Sequence, residues 1–205
     1  MRIGVDFDNT IVSYDALFHR VAVERGVVPA TLPPTKLSVR EHLRKTGRES
    51  LWTEMQGYVY GARMDEAVPY PGVTDFLEWA QARGVDLAII SHKTRRPVVG
   101  HPYDLHAAAR GWVRKFLIEI ERPLIDPADV YFEPTKQEKL ARIAALDVDC
   151  FIDDLPEILL AAEFPARAAG LLFDSDGGFA GDARLRAFRS WPELKRHIES
   201  LWTRH

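Results

Sequence analysis

Two aspartates lie close together at the end of the first apolar segment, in the run Asp6-Phe7-Asp8-Asn9-Thr10. A second acidic pair, Asp153-Asp154, directly follows another apolar segment, Cys150-Phe151-Ile152. Either pair alone is typical of an acidic loop or a helix cap, but four carboxylates brought together repel one another unless a cation binds them or some take up protons. Mg²⁺ prefers oxygen ligands of this kind and keeps waters and a substrate phosphate in its shell. The two pairs together therefore indicate a magnesium site.

A hydroxyl group and a lysine follow other segments of the same kind. Ser91 ends the apolar segment Leu87-Ala88-Ile89-Ile90, and Lys136 stands at the start of a predicted helix just after Thr135. A cation at a helix N-terminus faces an unfavourable dipole unless an anion is nearby. We therefore expect Ser91 and Lys136 to bind a phosphate group, with Lys139 as the alternative lysine.

The basic run from Ser91 to Arg96 lies beside this predicted phosphate site. Two interpretations of the run are open, a solvated loop or a second contact to an anionic part of a substrate. In the second interpretation His92 and Lys93 bind the substrate, together with Thr10 from the first acidic motif.

These residues are positioned by an alternation of short apolar segments and helical patterns. The strand-like segments are rich in β-branched or aromatic residues and are too short for helices. They cover residues 3–7, 87–90, 130–132, 150–152 and 171–173. Helical spacing of apolar residues lies between most of them, which predicts an α/β fold with a mainly parallel sheet. Such folds place ligands at the carboxyl ends of their strands, where the acidic pairs stand.

The stretch 14–68 interrupts the alternation, since it contains three helical patterns and no convincing strand. We predict helices over 15–25, 39–45 and 50–60, the second of them introduced by Ser38 with Glu41 in capping-box register. The stretch is therefore interpreted as a helical cap inserted into a catalytic core formed by residues 1–13 and 69–205.

Composition excludes several classes of protein. With 27 Lys and Arg against 30 Asp and Glu, the net charge of -3 gives no global positive field for a nucleic-acid polymer or an anionic membrane. The single cysteine, Cys150, excludes an intramolecular disulfide framework and a cysteine-rich zinc site. No apolar stretch approaches the roughly 20 residues of a membrane-spanning helix, and the amino terminus does not have the pattern of a secretion signal. We expect a soluble cytoplasmic protein.

In order and context, the chemical motifs resemble those of the haloacid dehalogenase superfamily, and among its branches the magnesium-dependent phosphatases. Asp6-Phe7-Asp8-Asn9-Thr10 matches the first motif, Ser91 the second, Lys136 the third and Asp153-Asp154 the fourth. The resemblance implies a three-layer Rossmann-like core. The helical insertion matches, in position, the first type of cap found in this superfamily.

The resemblance also implies roles for the acidic residues. Asp6 would be the nucleophile that forms an aspartyl phosphate, and Asp8 would be the general acid and base. Mg²⁺ would be held by Asp6, by the backbone carbonyl of Asp8 and by Asp154, with Asp153 orienting a metal-bound water or serving as the direct ligand in place of Asp154. The hydroxyl and lysine motifs would bind the transferring phosphoryl group.

The predicted function is hydrolysis of a small phosphorylated metabolite by a magnesium-dependent phosphatase. Dehalogenases of the superfamily need no metal and typically lack the second aspartate of the first motif, so Asp8 favours phosphoryl transfer. Three alternatives stay open: a 5'-nucleotidase, since the acidic pair after Phe-Ile resembles the deoxyribonucleotidase form of the fourth motif; a phosphotransferase; and a catalytically silent protein that binds a phosphorylated ligand. A silent binding protein would not need both Asp6 and Asp8.

Overall fold

In the computed structural model, which describes residues 1–202, strands and helices alternate along much of the chain. The strands are β1 (Arg2–Val5), β2 (Val12–Ser13), β3 (Val68–Pro69), β4 (Asp86–His92), β5 (Val130–Glu133), β6 (Cys150–Asp153), β7 (Ala169–Phe173) and β8 (Arg186–Phe188). The α-helices are α1 (Asp15–Glu24), α2 (Lys36–Lys45), α3 (Glu49–Gly61), α4 (Val73–Gln81), α5 (Leu105–Val113), α6 (Lys136–Ala145), α7 (Pro156–Leu159) and α8 (Trp191–Trp202). A π-helical turn, Arg114–Ile118, continues α5.

Six strands of the described chain form a parallel sheet in the order β5-β4-β1-β6-β7-β8. Strand β1 is central, because Val5 is in register with Ile89 of β4 on one side and with Ile152 of β6 on the other. The carboxyl ends of these three strands therefore meet at one edge of the sheet, as the sequence predicts.

Helices cover both faces of the sheet. In β4, Leu87 and Ile89 belong to one buried apolar cluster, whereas Ala88 and Ile90 belong to another. This alternation is expected because successive side chains of a strand point to opposite faces. Helices α4, α5 and α8 contribute to the first cluster, and α6 and α7 contribute to the second. The predicted α/β, three-layer Rossmann-like class with a parallel sheet is confirmed.

The segment with helices α1, α2 and α3 is flanked by the two strands of a short antiparallel hairpin. Strand β2 pairs with β3, with Val12 opposite Pro69 and Ser13 opposite Val68. The chain thus leaves the core at one strand of the hairpin and re-enters it at the other. Neither strand is predicted from the sequence, because each has only two residues and too few positions to form a pattern.

Other differences from the sequence prediction concern the helix starts and two further elements. Helix α2 begins at Lys36, not Val39, because the side chain of Thr35 accepts a hydrogen bond from the Ser38 amide and caps the helix earlier. Strand β8 and helix α5 are not predicted. By contrast, the predicted cap of α6 is confirmed, since Thr135 Oγ1 accepts a hydrogen bond from the Glu138 amide at 3.1 Å. None of the helices in the described part of the chain has the length and apolar character needed to cross a bilayer.

Candidate active site at the carboxyl end of the sheet

Asp6 lies at the centre of the edge where the three strands end. It directly follows β1, and its amide donates a hydrogen bond to the carbonyl of Ile152 in β6 at 2.8 Å. Its side chain accepts hydrogen bonds at Oδ1 from Ser91 Oγ, at 2.9 Å, and from Lys139 Nζ, at 2.6 Å. Thr10 Oγ1 lies 3.5 Å from Oδ2. One oxygen of the carboxylate is thus held by two donors from β4 and α6.

Lys139, and not Lys136, is the lysine beside Asp6. Its side chain is 1% exposed, and its ammonium group also lies 2.6 Å from Asp153 Oδ2. Burial acts to lower the pKa of Lys139, but the carboxylates of Asp153 and Asp6 oppose this effect and the pKa is raised, so the group stays charged. Lys136, the first of the two lysines predicted for the phosphate site, has a side chain that is 44% exposed and pairs with Glu157, so the geometry favours the alternative, Lys139. The physical reason is the rotation of α6, whose first residue points away from the sheet edge while the residue one turn later faces it.

Three carboxylates form a cluster at this edge. Asp6, Asp153 and Asp154 each place an oxygen within 4.8 Å of the others. Asp153 Oδ1 accepts a hydrogen bond from the Leu155 amide, at 3.0 Å, and Oδ2 lies 2.6 Å from the Lys139 ammonium group. Three clustered donors that are all carboxylates fit a hard cation such as Mg²⁺.

The pKa values of this cluster are shifted upward. Burial raises the pKa of Asp6 to about 6, although the Lys139 ammonium group acts against it. Burial, followed by the charges of Asp6 and Asp153, also raises the pKa of Asp154 well above its usual range. Both shifts have the same cause, since negative charges are crowded in a poorly solvated place. A bound cation would relieve the same crowding.

The second aspartate of the first motif, Asp8, is turned toward other partners. Its side chain is 21% exposed; Oδ2 accepts a hydrogen bond from Lys93 Nζ at 2.6 Å, and Oδ1 accepts one from Tyr14 Oη. Lys93 is 4% exposed, so it is not part of a solvated loop. His92, which is also predicted to bind the substrate, instead lies with its Nε2 3.2 Å from the carbonyl of Pro134. The basic run is therefore divided, with Lys93 buried at the site and His92 beside it.

A lysine that the sequence interpretation does not include reaches the site from α2. Lys36 Nζ donates a hydrogen bond to Asn9 Oδ1 at 2.9 Å, and Asn9 Nδ2 donates one to Asp154 Oδ2 at 3.2 Å. Burial acts to lower the pKa of Lys36, but Tyr60, Asp154 and Asp8 outweigh it and the pKa is raised. No local pattern marks Lys36, because the contact joins residues 27 positions apart across the hairpin.

A cleft of about 210 Å³ opens beside Asp154. Residues of α1 and α2 line one side of it, among them Lys36 and Arg40. Residues 173–176, which include the end of β7, line the other side with Tyr70. The cleft therefore lies between the inserted helices and the loops that follow the sheet.

Comparison with known proteins gives matches at the level of structure. No family model matches the chain, and a search of the curated proteins finds no match. The fold is similar to that of a HAD-superfamily hydrolase from Ehrlichia chaffeensis, with a TM-score of 0.59, 11% identity and coverage of 98% of this chain and 96% of the other. A HAD family hydrolase from Deinococcus radiodurans R1, solved with bound phosphate and sodium, aligns with a TM-score of 0.58, 18% identity and coverage of 97% and 95%. A predicted phosphatase from Clostridium acetobutylicum aligns with a TM-score of 0.56, 14% identity and coverage of 97% and 98%.

These alignments extend over nearly the whole length of both chains, so they include the helical segment as well as the sheet. At identities of 11% to 18% the likeness concerns the fold. The chain therefore has the fold of the haloacid dehalogenase superfamily hydrolases, the fold implied by the resemblance of its four motifs.

Proposed function

We propose that the protein is a magnesium-dependent phosphatase that hydrolyses a small phosphorylated metabolite. The observation that carries the proposal is the environment of Asp6, a buried carboxylate whose Oδ1 accepts hydrogen bonds from Ser91 and Lys139. A hydroxyl and an ammonium group at this position suit a phosphoryl group that Asp6 would attack. Two structural neighbours, a predicted phosphatase and a hydrolase solved with bound phosphate, support the same chemistry.

The proposed reaction has two steps. In the first, a carboxylate oxygen of Asp6 attacks phosphorus, the bond from phosphorus to the ester oxygen breaks, and Asp8 gives a proton to the departing alcohol. In the second, Asp8 takes a proton from water, whose oxygen attacks phosphorus and releases inorganic phosphate with the Asp6 carboxylate restored. Lys139 and Ser91 hold the phosphoryl oxygens in both steps.

The proposed ligands of Mg²⁺ are the three clustered carboxylates, Asp6, Asp153 and Asp154, together with the backbone carbonyl of Asp8. When bound there, Mg²⁺ supplies positive charge that offsets the negative charge of the phosphoryl group. The raised pKa values of Asp6 and Asp154 support a cation at this place, since positive charge would relieve the crowding of the carboxylates.

We also propose that the segment 14–68 is the cap of this active site and that the substrate is small. Lys36 of α2 reaches Asn9 and so closes the helical segment over the sheet edge. The cleft of about 210 Å³ left between the two parts is below the roughly 300–1,000 Å³ of sites for drug-sized ligands. The proposed location of the protein is the cytoplasm, on the basis of its composition and its single cysteine.

The experiment is release of phosphate from p-nitrophenyl phosphate, measured in Mg²⁺ and in EDTA. We expect activity in Mg²⁺ that EDTA removes, and a loss of at least about a thousandfold in the variant Asp6→Asn, because the amide is a far weaker nucleophile. Asp86→Asn is the matched control. Asp86 is exposed and lies at the amino-terminal end of β4, whereas the candidate active site lies at the carboxyl end of this strand.

The two variants separate a catalytic role of Asp6 from a general effect of removing a carboxylate. Circular dichroism and a thermal melt show whether each variant is folded. Activity that survives both EDTA and Asp6→Asn in a folded protein would contradict the proposal. Tight binding of a phosphorylated compound without any release of phosphate would favour a silent binding protein.

A further inference from the structure

The cleft beside Asp154 is lined by an arginine, Arg40, that forms no hydrogen bond or close ion pair within residues 1–202, although its charge, after that of Arg44, helps to lower the pKa of Glu49. Arg40 lies one turn after Lys36 on α2, so the two side chains share a face of the helix, and both line the cleft. The Nε atom of Arg40 is inaccessible to solvent and donates no hydrogen bond to any residue of 1–202. Within the same residues its guanidinium group forms no ion pair.

Four other arginines of the helical segment have carboxylate partners, whereas Arg48 donates a hydrogen bond to Thr46. Arg44, one further turn along α2, binds Glu49 through two nitrogens, at 2.7 and 2.9 Å. Arg20, Arg25 and Arg63 also pair with glutamates. Arg40 differs from these four because its side chain lines the cleft and is not held by a carboxylate at hydrogen-bond distance within residues 1–202. A guanidinium group forms paired hydrogen bonds with a carboxylate or a phosphate.

Four aspartates also line the cleft, and three of them are engaged by other groups. Asp15 Oδ1 accepts a hydrogen bond from the Lys36 amide at 2.7 Å, and both oxygens of Asp174 accept hydrogen bonds from backbone amides of the following turn at 3.1 Å. Asp154 belongs to the proposed metal site. Asp176 is the remaining carboxylate among the described lining residues, and Lys36 and Arg40 supply the positive charge on the opposite side.

The cleft is placed to receive the leaving part of a substrate. Asp154 lines it and also belongs to the cluster of carboxylates that includes Asp6. A phosphate ester bound at Asp6 can therefore extend past Asn9 and Asp154 toward α2. The cleft volume of about 210 Å³ limits this extension to a few carbon atoms.

We propose that the substrate carries a second anionic group, a carboxylate or another phosphate, on its leaving part, and that Arg40 binds this group. The inference rests on the proposed phosphatase function and assigns its substrate class. Lys36 contributes positive charge on the same side, although its ammonium group is already hydrogen-bonded to Asn9.

The experiment compares propyl phosphate with esters of the same length that differ in the terminal group. The probes are 2-carboxyethyl phosphate, propane-1,3-diyl bisphosphate and 3-aminopropyl phosphate, each assayed in Mg²⁺ by release of inorganic phosphate. We expect kcat/KM for the carboxylate or the bisphosphate to exceed that for propyl phosphate by at least about tenfold, and 3-aminopropyl phosphate to be the poorest substrate. The relative values for the two anionic esters show which anion the site prefers.

Variants of α2 assign the preference to Arg40. In Arg40→Gln the ratio of kcat/KM between the anionic ester and propyl phosphate falls by at least about tenfold, and Arg40→Lys restores part of it, because a charge-assisted contact is lost and then partly replaced. Arg20→Gln is the matched control, since Arg20 is an exposed arginine of α1 that pairs with Glu66 outside the cleft, and it keeps the ratio of the wild type. Thermal melts show that each variant is folded.

The outcomes separate the inference from the function on which it rests. Equal kcat/KM for the anionic ester and propyl phosphate, a preference for 3-aminopropyl phosphate, or an unchanged ratio in Arg40→Gln overturns the role of Arg40 while phosphatase activity stands. Absence of phosphate release from every ester and from p-nitrophenyl phosphate overturns the proposed function and the substrate class with it.

Discussion

The ammonium group of Lys139 lies 2.6 Å from Oδ1 of Asp6, although 133 positions separate the two residues in the chain. The same ammonium group lies 2.6 Å from Oδ2 of Asp153. One buried lysine therefore holds the carboxyl ends of β1 and β6 together and offsets part of their negative charge.

The variant Lys139→Met tests this role without creating a large cavity, since methionine is similar in length and uncharged. We expect the activity to fall by about a hundredfold or more, because a donor to the phosphoryl group is lost. In EDTA at pH 7 we expect the free energy of unfolding to fall by about 3–5 kcal/mol, because two buried carboxylates lose their cation. Phosphate release and urea unfolding measure the two effects.

Lys136→Met is the control for this variant, since Lys136 is exposed and its ion pair with Glu157 lies on the surface. We expect its activity to stay within about threefold of the wild type and its stability to change by less than about 1 kcal/mol. A larger loss of activity in Lys136→Met than in Lys139→Met would reverse the assignment of the two lysines.

The pH dependence of stability tests the raised pKa of Asp6. Without metal, this pKa rises from 3.8 to about 6 on folding, so the folded protein binds the proton more tightly than the unfolded chain. The contribution of Asp6 to stability therefore decreases as the pH rises from about 4 to above 6, by an amount on the order of 3 kcal/mol. Asp6→Asn has no such titration. In EDTA, its stability relative to the wild type should increase over this pH range.

Urea unfolding of both proteins at several pH values measures this difference, from which the titration of groups distant from Asp6 cancels, while the titration of Asp154, which is coupled to the charge of Asp6, contributes to it. Addition of Mg²⁺ to the wild type at pH 7 should reduce the difference, since a cation offsets the same charge. A difference between the two proteins that is constant from pH 4 to pH 7 is incompatible with the raised pKa.

Stabilisation by Mg²⁺ tests the cluster of carboxylates independently of activity. A ligand that binds only the folded state raises the free energy of unfolding by about 2.7 kcal/mol when its concentration is 100 times its Kd. We expect Mg²⁺ to raise the stability of the wild type in this way and to have a much smaller effect on Asp154→Asn at the same concentration. The control Asp86→Asn should respond like the wild type. An equal response of Asp154→Asn would remove Asp154 from the metal site.

Alanine substitution at Gly61 tests how closely α3 approaches Tyr103, and Gly111 of α5 is the control position. A Cβ atom added at Gly61 would lie 2.5 Å from the Cβ of Tyr103, whereas one added at Gly111 of α5 would meet no atom within 4 Å. We expect Gly61→Ala to lower the free energy of unfolding by about 1–3 kcal/mol through overpacking. Gly111→Ala should raise it by about 0.5–1 kcal/mol, because alanine favours the helix. Urea unfolding of both variants is the measurement, and equal effects would show that the close approach of α3 to Tyr103 does not restrict position 61.

The positions of the acidic motifs could be predicted from the sequence because they depend on local patterns and on one topological rule. Short apolar segments alternating with helices require a parallel sheet, and the residues that follow adjacent strands must then meet at one edge. Asp6, Ser91 and Asp153 meet there as expected, since β1 lies between β4 and β6. Strand β8 and the hairpin of β2 and β3 could not be predicted in this way, because strands of two or three residues are too short to show an alternation of apolar and polar side chains.

The choice between two lysines shows what only the tertiary structure decided. The sequence determined where α6 begins, through the cap formed by Thr135. It did not determine the rotation of the helix against the sheet, which depends on the packing of Leu140 and Ile143 in the apolar cluster and which turns Lys139 toward Asp6. The contact of Lys36 with Asn9 and the opening of a cleft beside Arg40 likewise depend on how helices α1 and α2 pack over the edge of the sheet. Local propensity and periodicity act within a segment, whereas these contacts arise between segments that only the complete packing of the chain brings together.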